Sequence, residues 1–76
     1  MSNLNRGRLT IDLAGSWQHY ARPLAGWVML GTVTRGALTS ALAQDAAGNF
    51  AAINNNQLHP LINRKVQACF DGQPKG

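Results

Sequence analysis

Between Leu9 and Leu13 apolar and polar positions alternate, with Leu9, Ile11 and Leu13 on one side and Thr10 and Asp12 on the other. A period of two is the signature of a strand with one buried face. Gly15 ends this run. The stretch SWQHYAR fits a short helix opened by Ser16, which sets Trp17 and Tyr20 three positions apart on one side. Pro23 and Gly26 bracket a break, because proline disfavours helical dihedrals in the residue before it, here Arg22. From Trp27 to Thr34 the chain reads WVMLGTVT, rich in β-branched and aromatic side chains, and this is the expected central strand. Gly31 within it marks a bulge or a close backbone approach.

The segment ALTSALAQDAAGN carries two patterns. Leu38, Ala41 and Leu42 lie at helical spacing, with Gly48 placed to close a helix. The same residues read as a strand, TSALAQ, a turn over DAAGN and a returning strand, FAAIN. The helical stripe is short, whereas Asp45, Gly48 and Asn49 form a strong turn cluster, so the hairpin is the favoured reading. A helix-turn-helix over ALAQDAAGNFAAINNN ranks below it, because Asn54, Asn55 and Asn56 are poor helix formers.

The NNNQ stretch then forms a second turn, since asparagine tolerates left-handed dihedrals and bonds its own backbone. LHPLI reads as an edge strand, because Pro60 has no N–H to give a central ladder. Asn63 is a suitable N-cap, and Val66, Cys69 and Phe70 make an apolar stripe at i, i+3 and i+4, which predicts a C-terminal helix ending near Gly72. The expected architecture is α+β: a small antiparallel sheet of three to four strands with a C-terminal helix packed on it. It forms a single domain over residues 9–71, between a flexible N-terminal arm (1–8) and a flexible tail (72–76).

Composition narrows the picture. A chain of 76 residues buries only about 60% of the surface its unfolded form exposes. Such chains gain stability from disulfides, metals or partner subunits. Cys69 is the single cysteine, so an internal disulfide or a cysteine-rich zinc site is excluded and a homo-oligomer becomes the expectation. The longest strongly apolar run, Trp27 to Leu30, is far short of the ~20 residues that cross a bilayer. The first residues also lack the continuous apolar core of a secretory signal. No membrane association and an intracellular (cytoplasmic) location are therefore expected.

Charge changes the picture most. Seven Lys and Arg stand against three Asp, for a formal net charge of +4. Excess positive charge draws polyanions independently of their sequence. Arg64 and Lys65 open the predicted helix, where the macrodipole makes a cation unfavourable by roughly 0.3–1 kcal/mol, and an arriving anion relieves that cost. Arg6, Arg8, Arg35, Arg64 and Lys65 are thus the candidate nucleic-acid or anion contacts. Trp17, Tyr20 and Arg22, joined by Asn55 and Asn56, form a candidate patch for a partner protein. Interface hot spots favour aromatic and arginine side chains, so this patch suits an acidic protein surface.

Catalytic signatures are weak. Asp12, Asp45 and Asp71 are the only carboxylates, and His19 and His59 the only histidines. No two of these share a metal-binding spacing. Cys69 falls on the inner stripe of the predicted helix, where a thiol acts as a small hydrophobe. The glycines of GALTSALAQDAAG lack the lysine of a phosphate loop. The sequence therefore predicts a non-catalytic small basic binding module without cofactor or metal. Its leading role is that of a nucleic-acid-associated regulatory or accessory protein; the alternative is a protein–protein adaptor or inhibitor that binds an acidic partner.

Overall fold

The structure, a computed structural model, describes residues 9–72. The arm expected over 1–8 and the tail residues 73–76 lie outside this range. Strands β1 (Leu9–Asp12), β2 (Trp27–Arg35), β3 (Leu38–Asp45), β4 (Phe50–Asn54) and β5 (Gln57–Pro60) are followed by one helix, α1 (Asn63–Gly72). The strands form a single sheet in chain order, each antiparallel to the next. The α+β class and the C-terminal helix hold. The sheet has five strands, one more than the upper expectation, because both four-residue end strands pair along their whole length. Leu9–Asp12 lies opposite Thr32–Arg35, and Gln57–Pro60 lies opposite Ala51–Asn54.

Residues 38–45 are strand. On a helix Leu38, Ala41 and Leu42 would share one stripe, but here Ala41 and Leu42 are buried on opposite faces of the sheet while Leu38 is exposed. The helix-turn-helix reading fails for the same reason. Its two halves are the paired arms of one hairpin, with Gln44 opposite Phe50 and Ala41 opposite Ile53.

Strand alternation divides the core in two. Ile11, Val33, Leu42, Phe50 and Ala52 face α1 and pack on its Val66. Ala21, Ala41, Ala43 and Ile53 lie on the other face, covered by Trp17, Tyr20 and Leu24 of the segment between β1 and β2. That segment forms only a single 3-10 turn at Trp17–His19, without a side-chain cap from Ser16. The serine hydroxyl donates instead to Gln18 Oε1 at 3.3 Å.

The glycine in β2 marks the bulge that its position suggested. Met29 lies opposite Ala43 and Gly31 opposite Leu42, so Leu30 has no partner across the strand and turns into the helix-side core. The last helix rests against β1, where Cys69 Sγ donates to the Leu9 carbonyl at 3.3 Å. Phe70 meets Phe50 with ring centroids 5.6 Å apart.

Asn63 departs from its expected capping role. The Ile62 carbonyl accepts from Lys65 and Val66, while the Asn63 Oδ1 accepts from the Phe50 N–H at 2.9 Å. Phe50 begins β4, and its N–H competes for the amide oxygen against the helix's own first turn. The sheet wins that competition.

Candidate functional site

The amides at 55 and 56 close the β4–β5 hairpin. Asn54 pairs with Gln57, and the two residues between them have φ of 54° and 64°. Positive φ at both central positions is the type I′ turn that asparagine accepts. This turn also ties down the segment over the alanine face. The Asn55 N–H donates to the Tyr20 carbonyl at 2.8 Å, and the Arg22 N–H donates to Asn56 Oδ1 at 3.1 Å. The Trp17 carbonyl in turn accepts from Tyr20 and Ala21. Tyr20 and Arg22 are thereby tied to Asn55 and Asn56, while Trp17 is joined to them only through the backbone of its own 3-10 turn.

The cationic set is more dispersed. Arg6 and Arg8 lie outside the described residues. Arg64 and Lys65 occupy the first turn of α1, beside the start of β4, and both are exposed. Arg35 is exposed at the far end of β2, about 26 Å from Trp27 at ~3.3 Å per residue. Among the described residues, none of these cations nor Arg22 forms an ion pair with a carboxylate. The carboxylates are engaged by amides. Asp12 accepts from the Ala14 N–H at 3.0 Å, and Asp71 from Gln67 at 3.4 Å.

Asp45 is the most heavily engaged of the three. Its Oδ1 accepts from the N–H groups of Ala47 (3.0 Å) and Asn49 (2.8 Å), and its Oδ2 accepts from Asn49 Nδ2 (3.1 Å). The chain continues beyond the turn, since Asn63 Nδ2 donates to Asn49 Oδ1 at 3.0 Å. The orientation of both amides is forced. The Phe50 N–H requires the Asn63 oxygen, which turns the Asn63 nitrogen to Asn49 and the Asn49 nitrogen to the carboxylate. Asp45, Asn49 and Asn63 border an open pocket of about 400 Å³, whose apolar walls include Trp27, Leu58 and Pro60.

The hydrogen bonds from Asn49, backbone first and then side chain, hold the Asp45 carboxyl below its ordinary pKa. A carboxylate with a lowered folded-state pKa contributes stability above its unfolded pKa and loses it as the pH falls through the folded one. Acid titration of the unfolding midpoint is therefore expected to fall less steeply below the ordinary aspartate range in Asp45→Asn than in wild type. Equal slopes would show that the turn does not favour the ionised form.

The sequence marked Asp45 and Asn49 only as turn residues and Asn63 only as a cap. Their connection, across fourteen positions between Asn49 and Asn63, has no local signature. Among the described residues no cluster of three His, Cys or Asp could hold a metal, and no helix is long and apolar enough to cross a membrane. Comparisons with protein-family models, with curated proteins and with solved structures found no match to this chain.

Proposed function

We propose that this protein is a non-catalytic basic binding module that associates with nucleic acid in a regulatory or accessory role. The observation that carries the reading is the state of its charges. Arg22, Arg35, Arg64 and Lys65 are exposed and unpaired with acids among the described residues, while the aspartates are engaged by amides. Cations with no internal partner retain their full attraction for a phosphate backbone. Surface cations spread over both ends of the sheet suit contacts to phosphates along a strand better than a point site for one small anion.

Affinity for generic oligonucleotides is then expected to drop steeply with salt, as counterions are released. Replacing Arg64 or Lys65 by alanine should weaken binding across all sequences and shrink the salt slope by about 0.7–0.9 per charge removed. Unfolding midpoints should stay near the wild-type value, because both side chains are exposed. An unchanged slope in both variants would remove these residues from the contact surface.

A second reading rests on a different observation. Tyr20 and Arg22 are held to the asparagine turn by the Asn55 N–H on the Tyr20 carbonyl and the Arg22 N–H on Asn56 Oδ1, so this part of the candidate patch is ordered before a partner arrives, which lowers the cost of binding. Under this reading the module is an adaptor or inhibitor of an acidic partner. Absence of binding to duplex and single strands at low salt would favour it over the first.

A further inference from the structure

We propose that the outer edge of β5 receives an extended, acidic segment of a partner protein as a sixth strand of the sheet. This rests on the acidic-partner reading above and names the element that takes the partner up.

The two edges of the sheet differ. At β1 the helix α1 lies alongside, and Cys69 Sγ occupies the Leu9 carbonyl. At β5 all four residues are exposed. The phase of the β4–β5 ladder sets which backbone groups of β5 face outward. A two-residue turn makes Asn54 and Gln57 a hydrogen-bonded pair, and bonded pairs recur at every second residue. The Leu61 N–H on the Phe50 carbonyl, at 3.0 Å, keeps the same phase. Leu58 and Pro60 therefore turn their backbone groups away from β4. Leu58 offers an N–H and a carbonyl, and Pro60 a carbonyl alone. An extended chain satisfies all three, and such main-chain bonds are what give strand addition its affinity. Edges are commonly blunted by charged side chains, and β5 carries no Lys, Arg, Asp or Glu. Its Pro60 shortens the usable edge without closing it at Leu58.

The charges around β5 select the occupant. At the turn end Arg22 is tied through its N–H to Asn56, and at the other end Arg64 and Lys65 open α1. All three are exposed, and none is paired with an acid among the described residues. Asp45 borders the pocket that Pro60 also lines, but its carboxylate already accepts three hydrogen bonds from its own turn. The uncharged strand between the cations is about 13 Å long at ~3.3 Å per residue. A segment with an apolar centre and acidic residues at both ends matches this arrangement. A second copy does not, because antiparallel pairing of β5 with itself about Leu58 would carry Arg22 of one copy toward Arg64 and Lys65 of the other. An apolar side chain directly opposite Leu58 shares its face of the sheet, where Trp27 and Pro60 wall the pocket.

The test is fluorescence anisotropy at low salt with a labelled peptide of four alternating valine and threonine residues, flanked by two aspartates at each end. Binding is expected. N-methylation of the four central residues, which removes their N–H donors and leaves the charge, should weaken it by roughly tenfold or more. Lysine in place of the aspartates should weaken it as much. In the protein, Leu58→Pro removes the outward N–H of β5 and should do likewise; the peptide comparisons stand even if that variant folds poorly. Hydrogen exchange of the Leu58 amide should slow when the peptide binds. Equal affinity for the parent and methylated peptides would overturn the strand addition and leave an acidic partner held by charge alone. No binding of either acidic peptide would overturn both. Slowed Leu58 exchange in the protein alone, growing with its concentration, would give the edge to a second copy and overturn the proposal. Slowing by an oligonucleotide instead of the peptide would overturn it as well.

Discussion

Leu42→Ala is expected to lower the unfolding free energy by about 2–5 kcal/mol, the range for a fully buried leucine. The side chain is 0% exposed in the middle strand of five and packs among Ile11, Val33, Phe50, Ala52 and Val66. The upper part of the range applies because the site cannot collapse. Directly across the strands from Leu42 stand Gly31 on β2 and Ala52 on β4, and neither can fill the vacated space. Domains carry roughly 0.05–0.15 kcal/mol of stability per residue, so this single truncation removes a large share of what so short a chain has. Urea unfolding measures it. Leu58→Ala on the edge strand is the control; Leu58 is 38% exposed and should cost less than half as much. Similar losses in both variants would contradict the placement of Leu42 at the centre of the sheet.

Gly31→Ala is expected to be nearly as damaging, about 1–3 kcal/mol or more, for a different reason. A Cβ there would collide with the Asp12 carbonyl oxygen and stand 2.7 Å from Leu13 Cα. These are backbone atoms, so no rotamer change relieves the clash. The end of β1 must shift, and with it the pairing of Asp12 with Thr32. Thermal unfolding followed by circular dichroism would show the lowered midpoint. A wild-type midpoint in Gly31→Ala would mean that β1 does not approach β2 at the bulge.

Both changes act on the scaffold, whereas the proposed contacts stand on its ends. Asp45, Asn49 and the start of α1 share one end of the sheet, and their mutual geometry depends on the register of β3 with β4. Loss of Leu42 or Gly31 packing is thus expected to weaken binding only in proportion to the folded fraction. Removing Arg64 or Lys65 should do the reverse, weakening binding in a protein that remains folded.

Much of this fold was legible locally. Alternation at Leu9–Asp12 depends only on neighbouring residues, as do the β-branched run after Trp27, the Asp45–Asn49 turn cluster and the asparagine turn. Leu13, expected on the buried face with Leu9 and Ile11, instead lies past the end of β1 and is exposed, because the chain turns there. The Gly31 bulge was legible too, because a glycine weakens a strand interior and is kept there where the ladder bends or another backbone comes close. Among the candidate contacts, the sequence named Tyr20, Arg22, Asn55 and Asn56 without showing that Tyr20 bonds Asn55 and Arg22 bonds Asn56. It missed the polar border of the pocket altogether, because the turn and cap preferences of asparagine conceal any longer-range use.

What the sequence determined alone was the set of elements that short-range physics controls: side-chain period, turn dihedrals, a helix stripe, and an excess of cations over acids. What the tertiary structure decided was the choice among partners. Asn63 could cap its own helix, yet it bonds the Phe50 N–H thirteen residues away, because sheet formation leaves that donor at the strand end within its reach. Asn55 and Asn56 could close a turn in isolation, yet only the packed chain brings Tyr20 and Arg22 to them. A backbone donor needs an acceptor once it leaves water, and which one it finds depends on what the whole chain has placed beside it.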